Sequence, residues 1–336
     1  NDVEFKKLSF GKTFTDHMFL CEFKDGKWNS PKIIPYDNFS ISPASSVFHY
    51  GQAIFEGMKA YKDNDNNVWL FRPEENYNRL NKSCERMCMP KIEKDLFFNG
   101  IKELLTIDKD WIGKGDTTMY IRPVVFATEA TIVASPSKEF SFFILCSPAS
   151  AYYFNPLSVL IEDTFIRAAK GGVGYAKAAG NYAGSFYPTS LAIEKGFDQI
   201  VWTDSVNHKL IEEAGTMNIF FRINNKLITP EHTDTILDGV TRKSVITVAK
   251  DSRIDVEIRD IEVSEIIQEY ENGNLTEVFG AGTAAVIAPI SSFGYKEKKY
   301  ILKDIDDAFG PIIKKEIVDI QNNLTEDKYN WRYQVI

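Results

Sequence analysis

Lys177 lies in the most glycine-rich stretch of the chain, where five glycines fall between positions 171 and 184. Small neighbours let a backbone approach a bulky ligand closely. They can also leave a lysine amine poorly solvated, which lowers its pKa and makes it a nucleophile. Most lysines are solvated surface charges, and position alone leaves that interpretation open. The stretch suggests a nucleophilic lysine and calls for supporting residues elsewhere.

Glu213 is the second residue whose setting suggests chemistry. It stands in LIEEAGTMNIF, between two apolar runs. A buried carboxylate there needs a positive partner. A pyridinium nitrogen would serve, because the carboxylate keeps such a ring protonated and makes it an electron sink. The alternative, that Glu212 and Glu213 simply end a strand in water, stays open.

Three further features could bind an anion. The GVT run at 239–241 precedes a predicted helix, whose first N–H groups and positive dipole end suit a phosphate. FGAGTAA at 279–285 is a glycine-rich turn with a hydroxyl, and Arg72 could supply a forked counter-charge. Ordinary capping, an ordinary turn and a surface arginine would each explain one of them. Together with Lys177 and Glu213 they indicate a site for a phosphorylated ligand.

The elements that must position these residues follow from periodicity. Apolar alternation and β-branched or aromatic runs predict strands, and apolar spacing of three to four predicts helices. Pro73 suits the first turn of a helix running to about Met87. The other predicted elements of the first part are strands at 14–23, 67–73, 119–128 and 140–148 and a helix at 94–107.

The second part mixes strands and helices without regular alternation, which favours an α+β fold over a doubly wound sheet. We place a linker at 149–157, between a small N-terminal α/β domain at 1–148 and a large C-terminal domain at 158–336. The C-terminal predictions are strands at 157–168, 199–204, 208–213, 217–223, 226–230 and 254–261, a strand–turn–strand at 275–290, and helices at 240–251, 263–273 and 306–324, the last closing the chain.

Composition narrows the class of protein. The 336 residues are 44% hydrophobic and 13% aromatic, typical of a chain with a large buried core. The net charge of −8 disfavours a nucleic-acid partner, and no apolar run is long enough to span a membrane. Cys84 and Cys88 would share a helix face. Reduced thiols are the favoured interpretation over a metal site, and the four scattered histidines show no ligand spacing, so we expect no metal.

Seven ordered segments resemble the branched-chain amino-acid aminotransferases, a family of class IV (fold type IV) enzymes that depend on pyridoxal 5'-phosphate (PLP). They extend over nearly the whole chain and are highly specific as a set. The segments are FHYGQAIFEGMKAY (48–61), VWLFRPEENYNRL (68–80), MYIRPVVF (119–126), FIRAAKGGVGYAKAAGNY (165–182), EEAGTMNIF (212–220), ILDGVTRKS (236–244) and EVFGAGTAA (277–285).

The resemblance implies a cofactor role for each motif. Lys177 would bind PLP covalently as an imine and would later carry the proton between the substrate and the cofactor. Tyr182 would bond the cofactor's phenolic oxygen, and Glu213 would pair with its ring nitrogen. The phosphate would be held by Arg72, by Val240 and Thr241 through their backbone, and by Thr283. The C-terminal domain would therefore be the PLP-binding one.

Substrate roles follow from the same resemblance. One pocket must accept leucine, isoleucine or valine and then glutamate or 2-oxoglutarate, so it needs both an apolar wall and groups for a second carboxylate. Thr216 and Ala284 would bind the substrate α-carboxylate, and Tyr152 or Tyr153 would line one side. The wall and the second-carboxylate groups would be Tyr50, Phe55, Tyr120 and Arg122, although plain core packing is an open alternative for Phe55.

The implied activity is transamination between L-leucine, L-isoleucine or L-valine and 2-oxoglutarate, giving the 2-oxo acid and L-glutamate. Related activities, a D-amino-acid aminotransferase or a lyase acting on aminodeoxychorismate, would share the lysine, acid and phosphate features. A non-catalytic binding protein on the same fold is the alternative of another class. GTAAVIA lacks the cysteine pair that animal members carry after the GTA motif. We expect a bacterial, cytoplasmic homodimer acting on small molecules.

Overall fold

The computed structural model describes residues 8–150 and 155–336. Tyr152 and Tyr153 therefore lie outside the described residues, as does the middle of the predicted linker. The chain divides into two compact units. The first comprises Asn1–Tyr152, Ala176–Gly180 and Asp319–Ile336, and the second comprises Tyr153–Tyr175 and Asn181–Val318.

Local signals set the helices. Pro73 opens α2 with Glu74 and Glu75 in the first turn, where carboxylates favour the positive end of the helix dipole. The helices are α1 (Ser46–Tyr50), α2 (Pro73–Arg86), α3 (Lys94–Ile107), α4 (Ala179–Ala183), α5 (Phe186–Glu194), α6 (Val240–Asp251), α7 (Val263–Glu271) and α8 (Phe309–Gln321).

The first unit is built on an antiparallel sheet. Its strands are β1 (His17–Lys24), β2 (Lys27–Trp28), β3 (Lys32–Pro35), β4 (Ala53–Phe55), β5 (Met58–Lys62), β6 (Val68–Phe71), β7 (Thr118–Ala127), β8 (Phe140–Ala149) and β18 (Arg332–Gln334). The order is β18-β6-β5-β7-β8-β1-β2, with β3 on β1 and β4 on β7. Helices α2 and α3 supply Leu80, Phe97 and Leu104 to its buried core.

The second unit contains a closed ring of six strands, β11-β10-β9-β16-β15-β12, because β12 also pairs with β11. Closure leaves these strands no free edge. The strands of this unit are β9 (Leu157–Ile161), β10 (Gln199–Thr203), β11 (Ile211–Ala214), β12 (Met217–Ile223), β13 (Lys226–Thr229), β14 (Val256–Ile258), β15 (Leu275–Gly282), β16 (Val286–Tyr295) and β17 (Lys298–Ile301).

Most predicted elements are confirmed, including the helices at 94–107 and 240–251 and the strand–turn–strand at 275–290. The strand predicted at 157–168 ends at Ile161, because the Glu162 carboxylate accepts N–H bonds from Thr164 and Phe165 and turns the chain. The elements that were not predicted are helices α1, α4 and α5 and strands β2, β3, β4, β5, β17 and β18. The closing helix is therefore followed by a strand.

The prediction that Cys84 and Cys88 share a helix face is wrong. Helix α2 ends at Arg86, and Cys88 has a left-handed backbone with φ of 53°. Cys84 is buried and Cys88 is exposed. Within the described ranges, no cluster of three histidine, cysteine or acidic side chains is arranged to hold a metal ion. No described helix is both long enough and apolar enough to cross a membrane.

Candidate functional site

The residues singled out from the sequence divide between the two units. Those of the first unit are Tyr50, Phe55, Arg72, Tyr120, Arg122 and Lys177. Those of the second are Tyr182, Glu213, Thr216, Val240, Thr241, Thr283 and Ala284.

Lys177 is half-buried and its main chain is fixed on both sides. Its N–H donates to the Ser83 hydroxyl at 2.9 Å, and its carbonyl accepts the Phe55 N–H at 3.1 Å. Its neighbour Ala178 forms an antiparallel bridge with Ile54. The loop that carries the lysine is thus tied to helix α2 and to strand β4.

The ring of Phe55 is the common neighbour of two cations. The Lys177 Nζ lies 4.8 Å from its centroid, and the Arg122 guanidinium carbon lies 4.6 Å from it. A cation over an aromatic face is attracted by the ring's negative quadrupole. Phe55 is half-buried. Because its ring also contacts two cations, plain core packing does not describe its surroundings.

Arg122 and Tyr120 lie on alternate positions of β7, so they share one face of the sheet. An Arg122 Nη donates to the Tyr120 hydroxyl at 2.9 Å. Among the described residues, the buried Arg122 Nε has no hydrogen-bond partner. Gly57 makes room for the phenol, because a Cβ at that position would lie 2.0 Å from the Tyr120 hydroxyl oxygen.

Tyr50 and Arg72 stand at element ends in the same unit. Tyr50 ends α1 and is 45% exposed, and its hydroxyl donates to the carbonyl of Ile132. Arg72 has a left-handed backbone immediately before α2, and its side chain is 12% exposed. It contacts Glu75 at 3.3 Å and lies over the ring of Trp331 at 4.9 Å. The predicted counter-charge is thus mostly buried.

Glu213 lies in β11, a strand of the closed ring, and only 3% of its surface is exposed. The alternative of a strand end in water is therefore wrong. Its carboxylate accepts the Leu237 N–H at 2.7 Å and lies 3.0 Å from the Arg167 Nε. The Arg167 Nε–H is not aligned for a hydrogen bond, so attraction between the charges holds this pair.

Arg167 is the main partner that the sequence did not reveal. Its Nη2 donates to the carbonyls of both Gly174 and Thr235, at 3.0 Å and 2.5 Å. These bonds hold the guanidinium beside Glu213 and stabilise the glycine-rich loop. The only sequence signal was the presence of a cation in FIRAAKGG. No neighbouring residue predicts that it pairs with Glu213.

A cleft in the second unit is lined by Arg167, Asn181, Tyr182, Ser185, Glu213, Gly215, Thr216 and Leu237. It brings together three of the predicted residues, namely Tyr182, Glu213 and Thr216. Asn181 keeps its place by donating to the Val173 carbonyl at 2.9 Å. A carboxylate, a phenol and a hydroxyl therefore converge on one small opening.

The start of α6 has the form expected of an anion site. Gly239 precedes the helix, and Val240 and Thr241 form its first turn, both buried. A Cβ at Gly239 would lie 1.9 Å from the Asn218 amide oxygen, so any larger residue would displace that side chain. Asn218 in turn donates to the Leu237 carbonyl at 3.0 Å.

Thr283 and Ala284 lie in the turn that joins β15 to β16, and both are half-buried. The turn follows the close packing of Gly280 against Met217, where a Cβ would lie 2.7 Å from the methionine methyl group. Thr216 is exposed at the neighbouring turn between β11 and β12. These hydroxyl and backbone donors occupy ends of adjacent strands in the ring.

Comparison with known proteins identifies the class. The family described as amino-transferase class IV matches residues 53–293. Two solved structures share the fold at 23% identity and cover 96% of this chain. They are a branched-chain aminotransferase of Thermoproteus uzoniensis with norvaline (TM-score 0.81, 100% of that chain) and one of Thermobaculum terrenum in PLP-form (TM-score 0.76, 99% of that chain). The chain belongs to the class IV aminotransferases and has their α+β, type IV fold, as predicted.

A curated relative narrows the family. A probable branched-chain-amino-acid aminotransferase of Staphylococcus aureus strain N315 is 45% identical over 338 residues, covering 98% of this chain and 94% of its own. Identity at that level over nearly the full length places the chain within the branched-chain-amino-acid aminotransferase family. The chain is accordingly an enzyme that transfers amino groups.

Proposed function

We propose that the enzyme uses PLP to transfer the amino group of L-leucine, L-isoleucine or L-valine to 2-oxoglutarate, giving the branched-chain 2-oxo acid and L-glutamate. The observation that carries this proposal is the buried Glu213, which faces a cleft with Tyr182 and Thr216. A buried carboxylate needs a positive partner, and a protonated ring nitrogen bound in this cleft would provide one.

The residues present fit the cofactor. Lys177 would be its covalent attachment point, Glu213 would bind the ring nitrogen and Tyr182 the phenolic oxygen. Arg72, the N–H groups of Val240 and Thr241, and Thr283 would hold the phosphate, because the first turn of a helix presents unpaired donors. Bound PLP supplies an electron sink that stabilises negative charge at the substrate Cα.

The protein's own part in the reaction is to hold groups and move a proton. The Lys177 Nζ would take the proton from the substrate Cα, and Phe55 would shelter that amine from water on one side. Arg167 places a positive charge 3.0 Å from the Glu213 carboxylate, which offsets the cost of burying a charged group there. Thr216 and Ala284 would orient the substrate α-carboxylate at the strand ends.

Lys177→Ala tests the nucleophile. We expect turnover of leucine with 2-oxoglutarate to be abolished and the covalent cofactor absorbance to be lost. Lys170→Ala is the matched control, since Lys170 is an exposed lysine of the same loop and its variant should keep normal turnover. Near-native activity in the Lys177 variant would remove this residue from the proposal. Turnover of D-alanine or aminodeoxychorismate by the unaltered enzyme, with L-leucine inactive, would overturn the substrate class.

Arg122→Ala tests the second carboxylate. The buried Arg122 Nε, which has no partner in the described part of the chain, can donate to an incoming carboxylate. Only 2-oxoglutarate and glutamate carry that distal group. We expect kcat/KM for 2-oxoglutarate to fall by about 10- to 100-fold and that for leucine to change little, the size of a lost charged hydrogen bond. Steady-state kinetics with each substrate varied in turn measure both, and equal losses would contradict the assignment.

The homodimer and the cytoplasmic location stay predictions. Phe48, Tyr50, Ile132 and Val133 are large apolar side chains of the first unit that are 45% to 70% exposed, the type of surface that a second copy would cover. Light scattering of the purified enzyme gives the mass directly. A monomer at all concentrations would remove the dimer from the proposal.

A further inference from the structure

Ser83 is a buried hydroxyl group that joins two distant segments of the first unit. It lies in α2, has no exposed surface, and its oxygen lies 2.9 Å from the main-chain nitrogen of Lys177, 94 residues away in the chain. Its hydroxyl also lies 2.9 Å from the carbonyl oxygen of Arg79, one turn earlier in the helix. One buried hydroxyl therefore connects helix α2 to the segment that carries the candidate cofactor lysine.

The direction of both bonds is fixed by chemistry. A main-chain N–H can only donate, so the Ser83 oxygen must accept from Lys177. The single hydroxyl proton is then free to go to the Arg79 carbonyl, which can only accept. The hydroxyl thus has one orientation that satisfies both neighbours, and it holds its lone pair toward Lys177.

Arg79 is itself fixed at the other end. Its Nε and Nη donate to the two carboxylate oxygens of Glu56 at 2.8 Å and 2.9 Å, and both side chains are buried. Asn76 and the Gly57 N–H also donate to Glu56, at 2.8 Å and 3.1 Å. A forked, fully bonded pair of this type resists displacement in a way that a single bond does not.

Glu56 stays ionised in this setting. Burial alone would raise its pKa, but the charge and hydrogen bonds of Arg79, with smaller contributions from Lys177 and Asn76, lower the pKa below its ordinary value. Glu56 directly follows Phe55, whose N–H donates to the Lys177 carbonyl. The ion pair therefore links α2 to the residue that directly follows β4. These are the two elements that bond to the main chain of Lys177.

We propose that Ser83 is a positioning residue for Lys177, holding its main chain through a connected set of bonds that runs from Glu56 through Arg79. This inference rests on the proposed function, in which Lys177 carries the cofactor. A lysine side chain has four rotatable bonds, so its reach is useful only if its Cα stays in place. Ser83→Ala removes the hydroxyl that accepts the Lys177 N–H, so this tie between the lysine segment and α2 is lost.

The experiment compares the full-length holoenzyme with Ser83→Ala by kinetics and by amide hydrogen exchange. We expect kcat for leucine to fall by about 10- to 100-fold, as for a displacement near 1 Å of a reacting group, with KM little changed. We also expect the amide of Lys177 to exchange faster in the variant. Thr247→Ala is the control, because the Thr247 hydroxyl makes the same bond one turn back, to the Lys243 carbonyl at 2.9 Å, within another helix.

Two results would overturn the inference. One is a folded Ser83→Ala enzyme with the kcat and the Lys177 exchange rate of the unaltered protein. The other needs no variant: the Lys177 amide of the unaltered holoenzyme exchanging as fast as an exposed loop amide. The second measurement decides the matter if Ser83→Ala does not fold.

The proposed function fails separately. If Lys177→Ala keeps its turnover, the cofactor lysine is wrong whatever Ser83→Ala does. If Lys177→Ala is inactive while Ser83→Ala is indistinguishable from the control, only the positioning role is lost. A slowed Ser83→Ala with faster Lys177 exchange, beside an inactive Lys177→Ala, supports both.

Discussion

At the residue scale, Glu212 and Glu213 show how two adjacent acids acquire different roles. Neighbouring strand residues point to opposite faces, so the two carboxylates meet different surroundings. Glu213 lies 3.0 Å from the Arg167 Nε, whereas Glu212 accepts a hydroxyl bond from Thr235 at 2.6 Å. Within the described residues, the second oxygen of Glu212 has no hydrogen-bond partner. Burial raises the pKa of Glu212 to about 7.

This environment makes stability depend on pH. The folded state holds the proton of Glu212 more tightly than the unfolded state does, because the pKa rises from 4.5 to about 7. The resulting stabilisation is fully present below about pH 4.5 and is lost as the pH rises through 7. Ionised Glu212 is then buried without a full set of partners.

Glu212→Gln should remove this dependence, because the amide keeps an acceptor for Thr235 and carries no charge. We measure how much more stable the variant is than the unaltered protein, as a difference in free energy of unfolding. We expect this difference to increase by about 1–3 kcal/mol when the pH is raised from 5 to 8. Urea unfolding at both pH values measures it. Glu297→Gln, in an exposed turn, is the control. A difference that does not change with pH would contradict the assignment.

At the element scale, helix α8 begins on a side chain from a distant strand. The carboxylate of Glu277, in β15, accepts the N–H groups of Phe309 and Gly310 at 2.7 Å and 2.8 Å. These are donors that a helix leaves unpaired in its first turn. Burial raises the pKa of Glu277, and the two N–H bonds oppose that rise.

Glu277→Ala should therefore destabilise the protein by about 1–2 kcal/mol, the usual cost of losing an N-terminal cap. Thermal unfolding would detect the loss, and Glu277→Gln, which keeps one acceptor, should lose less. The exposed Glu297→Ala should leave the melting temperature unchanged. If Glu277→Ala has the same melting temperature as that control, the bonds from Glu277 do not stabilise α8.

At the scale of the whole molecule, the end of the chain completes the unit with which the chain begins. Strand β18 pairs with β6, and Val335 donates its N–H to the Val68 carbonyl at 2.8 Å. Val335 is 5% exposed and belongs to the hydrophobic core of the first unit. The sheet of this unit therefore includes a strand that lies more than two hundred residues after its partner β6 in the chain.

Val335→Ala tests that dependence. Removing two buried methyl groups should lower the free energy of unfolding by about 1–3 kcal/mol. Gln334→Ala is the matched control, since Gln334 is the exposed last residue of β18 and directly precedes Val335. Denaturant unfolding of the two variants decides the matter. Equal stability of the two would show that the C-terminal strand contributes little to the core.

The sequence by itself determined the elements with strong local signals. Pro73 placed the start of α2, and the glycine before Val240 placed α6, because caps and periodicity act within a few residues. The ordered motifs likewise indicated the family and the candidate roles of Lys177 and Glu213. Strand β18 carried no comparable signal, since its pairing depends on a partner more than two hundred residues earlier.

Only the tertiary structure decided what surrounds each charge. Arg167 beside Glu213 and Ser83 beside the Lys177 amide depend on residues that the chain brings together from far apart. The sequence names ionisable groups but not their neighbours, and a carboxylate's burial and pKa are set by those neighbours. That is why the two acids at 212 and 213 looked alike in the sequence and differ in the fold.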